Sequence, residues 1–502
     1  MIGGETTREQ RWAELKLWGS ERTLGELDAL MWRTERHPAN SWTGVVVALL
    51  DAVPDWERLR DAHRWFVHHV PRFRERVVDP AVPVGTPMWA LDPDFALDFH
   101  LRRVRLPEPG TIRQLLEFAQ TVALTPMDRS RPPWVGTLVE GLEGGRAAYV
   151  LQAHHVLMDG MAVTKLLTRG LSQVRDQIAE EPIGDPLEGP SLDSREVALQ
   201  ELARQARSTA PALARIASSA RRAATQPRST ARYAASLSRV LAPPPPNRSD
   251  VLAGGSRRTW RFGMLECELR DLKAAGKAAG GTVNDAFVCA LLGGLRHYCS
   301  EHGEDLQDLT ISMPVSMRKI DEAMGGNKFA GAFFAVPAGI ADPARRIREM
   351  RRRVEAVRSE PALDFLGNLT LVLNRTPSAL AASLLRGVNS RAALTTSSWP
   401  GLTEERYLAG GRFDRMFVFA PLPGTVLTGA MCTHMGICCI GVNVDGEVFK
   451  DAESLWSSLQ SGLDEVLALG LTPGAGNRRG RHSSATNSVS AVSKAAPASN
   501  IG

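Results

Sequence analysis

Residues 147–167 read AAYVLQAHHVLMDGMAVTKLL. An apolar run of strand type ends in His154-His155, a short turn reaches Asp159-Gly160, and Val163, Leu166 and Leu167 then recur at helical spacing. The two histidines are thereby placed at a strand end. Successive strand residues point to opposite faces, so one imidazole can face a cleft while the other packs or bonds to backbone. Histidine suits general-base work because an unperturbed pKa near about 6.5 leaves a neutral acceptor nitrogen at physiological pH. Asp159 either orients a histidine or fixes the loop as an ion-pair partner, and Gly160 permits a positive φ or a close backbone approach. The bland alternative is a hydrogen-bonded core histidine beside a good turn. A metal site is disfavoured, since strand alternation separates the two histidines and no third strong ligand is near them in sequence.

Outward from this segment, VVVALL (45–50) reads as a strand and WERLRDAHRWFVHHV (56–70) as a helix, which makes residues 1–185 an α/β domain. A second histidine pair, His68-His69, falls inside that helical pattern with no Asp-Gly after it, and is expected at a helix end. A second α/β domain is expected over 256–471, opening on RRTWRFGML and continuing through TISMPVSM (310–317), FAGAFFAVP (329–337) and RMFVFAPLP (415–423). Between the two, residues 186–255 shift to Ala, Arg, Ser and Pro, with the tetraproline Pro243–Pro246 as a stiff spacer. Residues 202–249 hold nine arginines and no Asp, Glu or Lys. Two readings fit this crossover: a basic helix lying on an anionic lipid surface, or a solvated linker packed loosely through its alanines. The tail at 472–502 lacks large apolar side chains and is expected to be disordered.

The 502 residues exceed what one core organises, and 43% hydrophobic with 23% charged residues suits a globular protein. A net charge of +5 against 60 basic and 55 acidic residues gives no reason to expect a nucleic-acid partner. Six cysteines without a CxxC pair match neither a zinc nor a disulfide framework and suit a reducing compartment. With no apolar leader and no long apolar run, the expectation is a cytoplasmic protein, in contact with membranes or lipid inclusions at most peripherally. No G-x-S-x-G elbow, P-loop or HExxH occurs, so serine-hydrolase, NTPase and zincin chemistry have no motif to rest on.

HHVLMDG (154–160) resembles the HHxxxDG pattern of the bacterial wax ester synthase/diacylglycerol acyltransferase family, within the chloramphenicol-acetyltransferase-like superfamily. LGELDALMWRTE (24–35), PRFRERVV (71–78), PMWALDPDFALDFHLRRVRLPEPG (87–110) and SRPPW (130–134) are similar to further family blocks, in order. So are GGTVNDAFVCALLGGLRHY (280–298), which carries Asn284-Asp285, MPVSMR (313–318) and GGNKFAG (325–331). The resemblance runs from about residue 24 to 470. It implies two similarly built chloramphenicol-acetyltransferase-like α/β domains joined by a crossover, with an active-site tunnel between them. It also implies transfer of a long-chain acyl group from acyl-CoA, a co-substrate, to diacylglycerol or a fatty alcohol, with no metal or redox cofactor. By the same resemblance His155 is the base, His154 and Asp159 accompany it, and Gly160 shapes the motif.

Asn284 and Asp285 precede a helical pattern, so they read either as an N-cap or as part of a shared active-site wall. Pro133 and Trp134 line an acyl channel or pack the core. Two departures bear on acceptor or acyl-chain selection: Pro133 stands for the family's Leu, and PLPGTVLTGA (421–430) stands for its NVPGP segment. Two alternatives follow, a related acyltransferase acting on a secondary-metabolite or carrier-bound substrate, and a catalytically silent lipid-binding protein.

Overall fold

The computed structural model describes residue 18 and residues 21–35, 40–81, 85–157, 159–176, 191–204, 245–255, 259–316, 327, 329–360 and 370–471, with four isolated positions between 231 and 238. The crossover arginines from 207 to 239 and the tail at 472–502 lie outside the described residues.

Two six-stranded mixed sheets form the molecule. The first has the order β11-β12-β1-β6-β5-β4 and the second β7-β14-β13-β10-β8-β9. In chain order the strands are β1 (Thr43–Leu50), β2 (Glu75–Val78), β3 (Met88–Leu91), β4 (Leu101–Arg105), β5 (Trp134–Leu142), β6 (Arg146–His154), β7 (Trp260–Glu268), β8 (Asp308–Ser316), β9 (Phe329–Pro337), β10 (Leu394–Trp399), β11 (Tyr407–Leu408), β12 (Gly411–Phe419), β13 (Leu427–His434) and β14 (Ile437–Asp445). The helices used below are α1 (Glu26–Thr34), α2 (Trp56–His69), α3 (Ile112–Leu124), α4 (Gly160–Gly170), α5 (Leu269–Ala278), α6 (Val283–Glu301), α7 (Pro343–Arg358), α8 (Ser378–Asn389) and α9 (Ala452–Ala468).

β1 is a near-continuous apolar run because it sits inside its sheet, between β12 and β6 and covered on both faces. Its two ladders fix the register of the first sheet, Thr43 facing His154 on one side and Val45 facing Phe419 on the other. β12 comes from the distal part of the chain. RMFVFAPLP, which the sequence pattern placed with the second domain, thus belongs in its strand part to the first sheet. Alternating hydrophobicity identifies a strand and says nothing of the sheet that receives it. The exchange leaves the two halves sharing one dry layer, where Val45, Val47, Phe417 and Phe419 pack with Trp260 and Phe262. Phe262 and Phe419 stack with their ring centres 4.2 Å apart.

The second half is built around α6, buried on nearly every side and capped by a reciprocal pair in which Thr282 and Asp285 each satisfy a backbone N–H of the other. α9 crosses it in backbone contact: a Cβ on Gly462 would stand 2.2 Å from the Gly294 nitrogen and 2.4 Å from the Ala290 oxygen. No single described helix is long and apolar enough to cross a membrane; α5 and α6 pass that test only together, bent by 90°, and α6 is the core helix just described. All six cysteines are free and buried, Cys267 facing Cys438 across β7 and β14, and Cys432 facing Cys439 across β13 and β14. His68-His69 closes α2, with His69 buried and its Nδ1 2.8 Å from the Trp65 carbonyl.

Gly462→Ala is expected to cost about 1–3 kcal/mol by forcing α6 and α9 apart, seen as a lower midpoint in chemical or thermal unfolding. Gly387→Ala, on α8 with nothing within 4 Å of the added carbon, is expected to leave that midpoint unchanged or slightly raised.

Candidate active site

The HHVLMDG turn is held by backbone on both sides. The His154 N–H donates to the Pro133 carbonyl at 3.0 Å, and the His155 N–H donates to the Trp42 carbonyl at 2.9 Å. Pro133 and Trp42 lead into β5 and β1, so both neighbouring strands pin the motif. This is the role seen for Pro133, a buried residue whose carbonyl anchors the histidine pair.

His154 is 1% exposed. Its Nδ1 accepts the Val156 N–H at 3.0 Å, which puts the neutral ring's proton on Nε2, and Nε2 lies 2.7 Å from Glu35 Oε2. The Trp32 ring meets it edge-on at 5.1 Å, and the Arg129 guanidinium lies 3.7 Å from the centre of that ring. Glu35 in turn accepts the Trp42 N–H and the Thr43 hydroxyl, each at 3.0 Å. Burial pushes the Glu35 carboxyl up, but His154 and those donors outweigh it and hold the group at about 2. Both nitrogens of His154 are therefore engaged within the protein.

His155 is placed differently. The residue is half-buried at the seam between the halves, its Nδ1 is buried, and its carbonyl accepts the Asn327 side-chain N–H at 2.7 Å. Desolvation, and then the neighbouring His154, push its pKa below the ordinary histidine value, with Asp159 opposing. The imidazole is held neutral at physiological pH, as an acceptor of a proton must be. Asn327 also donates its side-chain N–H to Asp28 Oδ1 at 2.5 Å, and its backbone N–H lies 3.3 Å from both Asp28 oxygens. Burial raises the Asp28 carboxyl to about 7 despite those hydrogen bonds.

Asp159 caps α4, its Oδ1 accepting the Ala162 N–H at 2.9 Å. This N-cap role is neither the orienting group nor the ion-pair partner that the sequence suggested, and the Asp159 charge is near enough to His155 to act on that ring. Gly160 needs no positive φ; it is small because a Cβ there would stand 2.6 Å from the Trp399 ring. Trp399 ends β10, and the neighbouring residues of that strand end bind both halves: Ser398 donates to Asn284 Oδ1 at 2.7 Å, and Pro400 accepts the Thr164 hydroxyl at 2.9 Å. Asn284 is thus bonded to the strand end whose next residue, Trp399, meets Gly160. Asp285 is the structural member of its pair, although the cap itself is Thr282, one place ahead of Val283. Trp134 is 1% exposed, donates to the Phe73 carbonyl at 2.9 Å and stacks on His100 at 4.8 Å, so it packs the core beneath the motif.

Sequence reasoning did not single out Glu35, Asp28, Asn327 or Trp399. The first three lie in the LGELDALMWRTE and GGNKFAG blocks, where a buried acid four or more residues from any partner gives no local sign of what it meets. Trp399 lies in no block. A surface depression of about 420 Å³ lined by Val53, Arg105, Glu108, Pro109 and Arg146 contains no motif residue and is not this site.

The profile of the wax ester synthase/diacylglycerol acyltransferase catalytic domain matches residues 24–287, and that of the family's C-terminal domain matches 325–466. A protein of Mycobacterium tuberculosis (strain ATCC 25618 / H37Rv), named as a candidate diacylglycerol O-acyltransferase, is 34% identical over 457 residues, covering 89% of this chain and 92% of its own. A similarly named protein of Mycobacterium bovis is 30% identical over 415 residues, 79% of this chain and 87% of its own. Among solved structures, the wax ester synthase/diacylglycerol acyltransferase from Marinobacter aquaeolei VT8 superposes with a TM-score of 0.61 at 21% identity, covering 90% of this chain and all of that one. The first condensation domain of the calcium-dependent antibiotic synthetase gives 0.58 at 13% identity, covering 91% and 98%. At these identities the two structures speak for the fold alone, which is chloramphenicol-acetyltransferase-like. The sequence matches, spanning both halves of the chain and the motif itself, make this protein an acyltransferase that belongs to the wax ester synthase/diacylglycerol acyltransferase family.

Proposed function

We propose that the chain transfers a long-chain acyl group from acyl-CoA to diacylglycerol, a long-chain alcohol or both, giving triacylglycerol or wax ester, with His155 as general base. The observation that carries this reading is the division of labour in the histidine pair. His154 is fully engaged by Val156 and Glu35, while His155 is kept neutral at the seam.

The acceptor hydroxyl gives its proton to His155 as its oxygen attacks the thioester carbonyl. The tetrahedral oxyanion then collapses, the C–S bond breaks, and the CoA sulfur leaves with the proton that the imidazolium returns. Atoms and charge balance without a metal or redox cofactor. His154 and Glu35 are positioning residues: they lock the residue next to the base, and the Asn327 link to the His155 carbonyl locks the base's own backbone. Asn284, Ser398 and Trp399 form the opposite wall. In segment 421–430, where the sequence departs from the family pattern, Gly424 abuts Asn389 at the end of α8 and Pro421 lies against Gly44 of β1. A secondary-metabolite or carrier-bound acceptor is the second reading, resting on that segment.

His155→Ala is expected to lower kcat by about 10²–10⁴-fold in an assay of CoA release from palmitoyl-CoA with dipalmitoylglycerol or hexadecanol as acceptor, with an unchanged unfolding midpoint. A folded variant with wild-type turnover would refute His155 as base. Wild-type release with neither acceptor would move the assignment to the second reading or to a silent lipid binder.

The pH dependence has a definite sign. Protonated His155 cannot accept a proton, and its pKa lies below about 6.5 by desolvation. Activity is therefore expected to rise with pH through an acidic limb whose midpoint lies below that value and to be flat above neutrality.

Glu35→Gln removes the charge opposite His154 and is expected to lower kcat by roughly 10- to 100-fold through misplacement of the loop, with KM for the acyl donor little changed. Equal loss in KM and kcat, or none, would count against the positioning role.

A further inference from the structure

α8 is amphipathic in the inverted sense. Its buried side is made of Ala381 and Ala382, with Leu385 half-buried, while Leu380 and Leu384 are about half exposed, at 50% and 49%, and Val388 follows at 37%. These three fall at i, i+4 and i+8, one stripe along the helix. Val372, in the helical segment before it, is 61% exposed. Four of the twelve exposed large apolar side chains among the described residues thus fall within the 17 positions from 372 to 388. Scattered exposed leucines need no explanation, but a contiguous stripe on a helix that buries its alanines does.

The charge around the stripe is one-sided. Between Asp364 and Glu404 the chain carries Arg375, Arg386 and Arg391 and no acid or lysine, a formal +3. Arg375 precedes the helix, Arg386 is in its last turn and Arg391 follows its end, so cations bracket the apolar row. Arg375 is 43% exposed, and Glu26, the acid beside it, is 4.0 Å away. A helix with leucines on one face and arginines at its margins matches an anionic lipid surface, whose acyl boundary takes the apolar row and whose headgroups meet the cations.

The position of the helix fits an enzyme that takes an acceptor from lipid. α8 packs on α1. Arg33 of α1 donates to the Asn374 and Thr376 carbonyls, and Asn40 donates to the Ala382 carbonyl at 3.2 Å. α1 leads directly into Glu35, which holds His154. One helix therefore separates the stripe from the motif.

We infer that α8, with Val372, docks the protein on an anionic lipid surface through Leu380, Leu384 and Val388, beside the active site. The inference rests on the surface of this helix and not on the chemistry assigned to His155.

Flotation of the full chain with vesicles tests it. The wild type is expected to float with vesicles of phosphatidylcholine and phosphatidylglycerol, and less with phosphatidylcholine alone. Leu380→Gln/Leu384→Gln/Val388→Gln is expected to weaken vesicle binding by at least about tenfold while CoA release on a short, water-soluble alcohol stays at the wild-type rate. Arg375→Gln is expected to weaken binding to the anionic vesicles by about fivefold and to leave binding to neutral ones unchanged. Three outcomes would overturn the proposal: a triple variant that floats like the wild type; a wild-type dimer in sedimentation that the triple variant breaks, which would assign the stripe to a second copy; or a lowered unfolding midpoint in the triple variant, which would assign it to packing within the chain. Flotation needs no turnover, so its failure and the failure of the acyltransfer reading are separately visible.

Discussion

The carboxylate of Asp28, 3% exposed near the start of the chain, has to find a donor on removal from water, and finds it in Asn327, almost 300 positions away. The same amide donates to the carbonyl of His155. This one side chain ties α1, the histidine turn and the second half into a single hydrogen-bonded unit, and it is the constraint on which the geometry of the site depends. An unpaired buried acid would cost about 1–3 kcal/mol or more, so separation of the halves at this point is opposed locally, not only by the apolar layer around it. Burial nonetheless pushes the Asp28 carboxyl up to about 7.

A second tie works through backbone. β12 leaves the second half to pair with β1, and β1 pairs with β6, whose last residue is His154. The strand that presents the histidines is thus the fourth in a row whose edge, β11 and β12, is laid down by distal sequence. Phe262 against Phe419 fills the space this creates. On the far wall, β10 runs in parallel with β13 and β8 and ends at Ser398 and Trp399, which reach Asn284 and Gly160. The site is accordingly assembled from strand ends of both sheets and from the starts of α4 and α6, where capped N-termini fix the backbone within hydrogen-bond tolerance.

The chemistry follows from how adjacent residues on one strand end are treated. Alternation sends His154 inward, where Val156 and Glu35 consume its nitrogens, and leaves His155 at the seam. The first is fixed against its neighbours, and desolvation holds the second below the ordinary histidine pKa.

Much of this was legible in the sequence. The strand, turn and helix of 147–167, the strands at 45–50 and 329–337, and the helix at 56–69 follow from local periodicity, which backbone geometry imposes on any buried face. The capacity of a histidine at a strand end for base chemistry followed from residue type, as did the expectation that Asn284 or Asp285 would serve a helix start, where the cap itself is Thr282. Local pattern could not tell which sheet would receive β12, since a strand's alternation is the same at either destination. Nor could it show that Asp28, Glu35, Asn327 and Trp399 meet the motif, because a hydrogen bond between distant residues leaves no periodic trace. The sequence by itself determined the elements and the reactive residue types; the tertiary structure alone decided which buried charges face one another and which of two neighbouring histidines is set against Glu35, because desolvation and long-range pairing exist only once the chain has closed on itself.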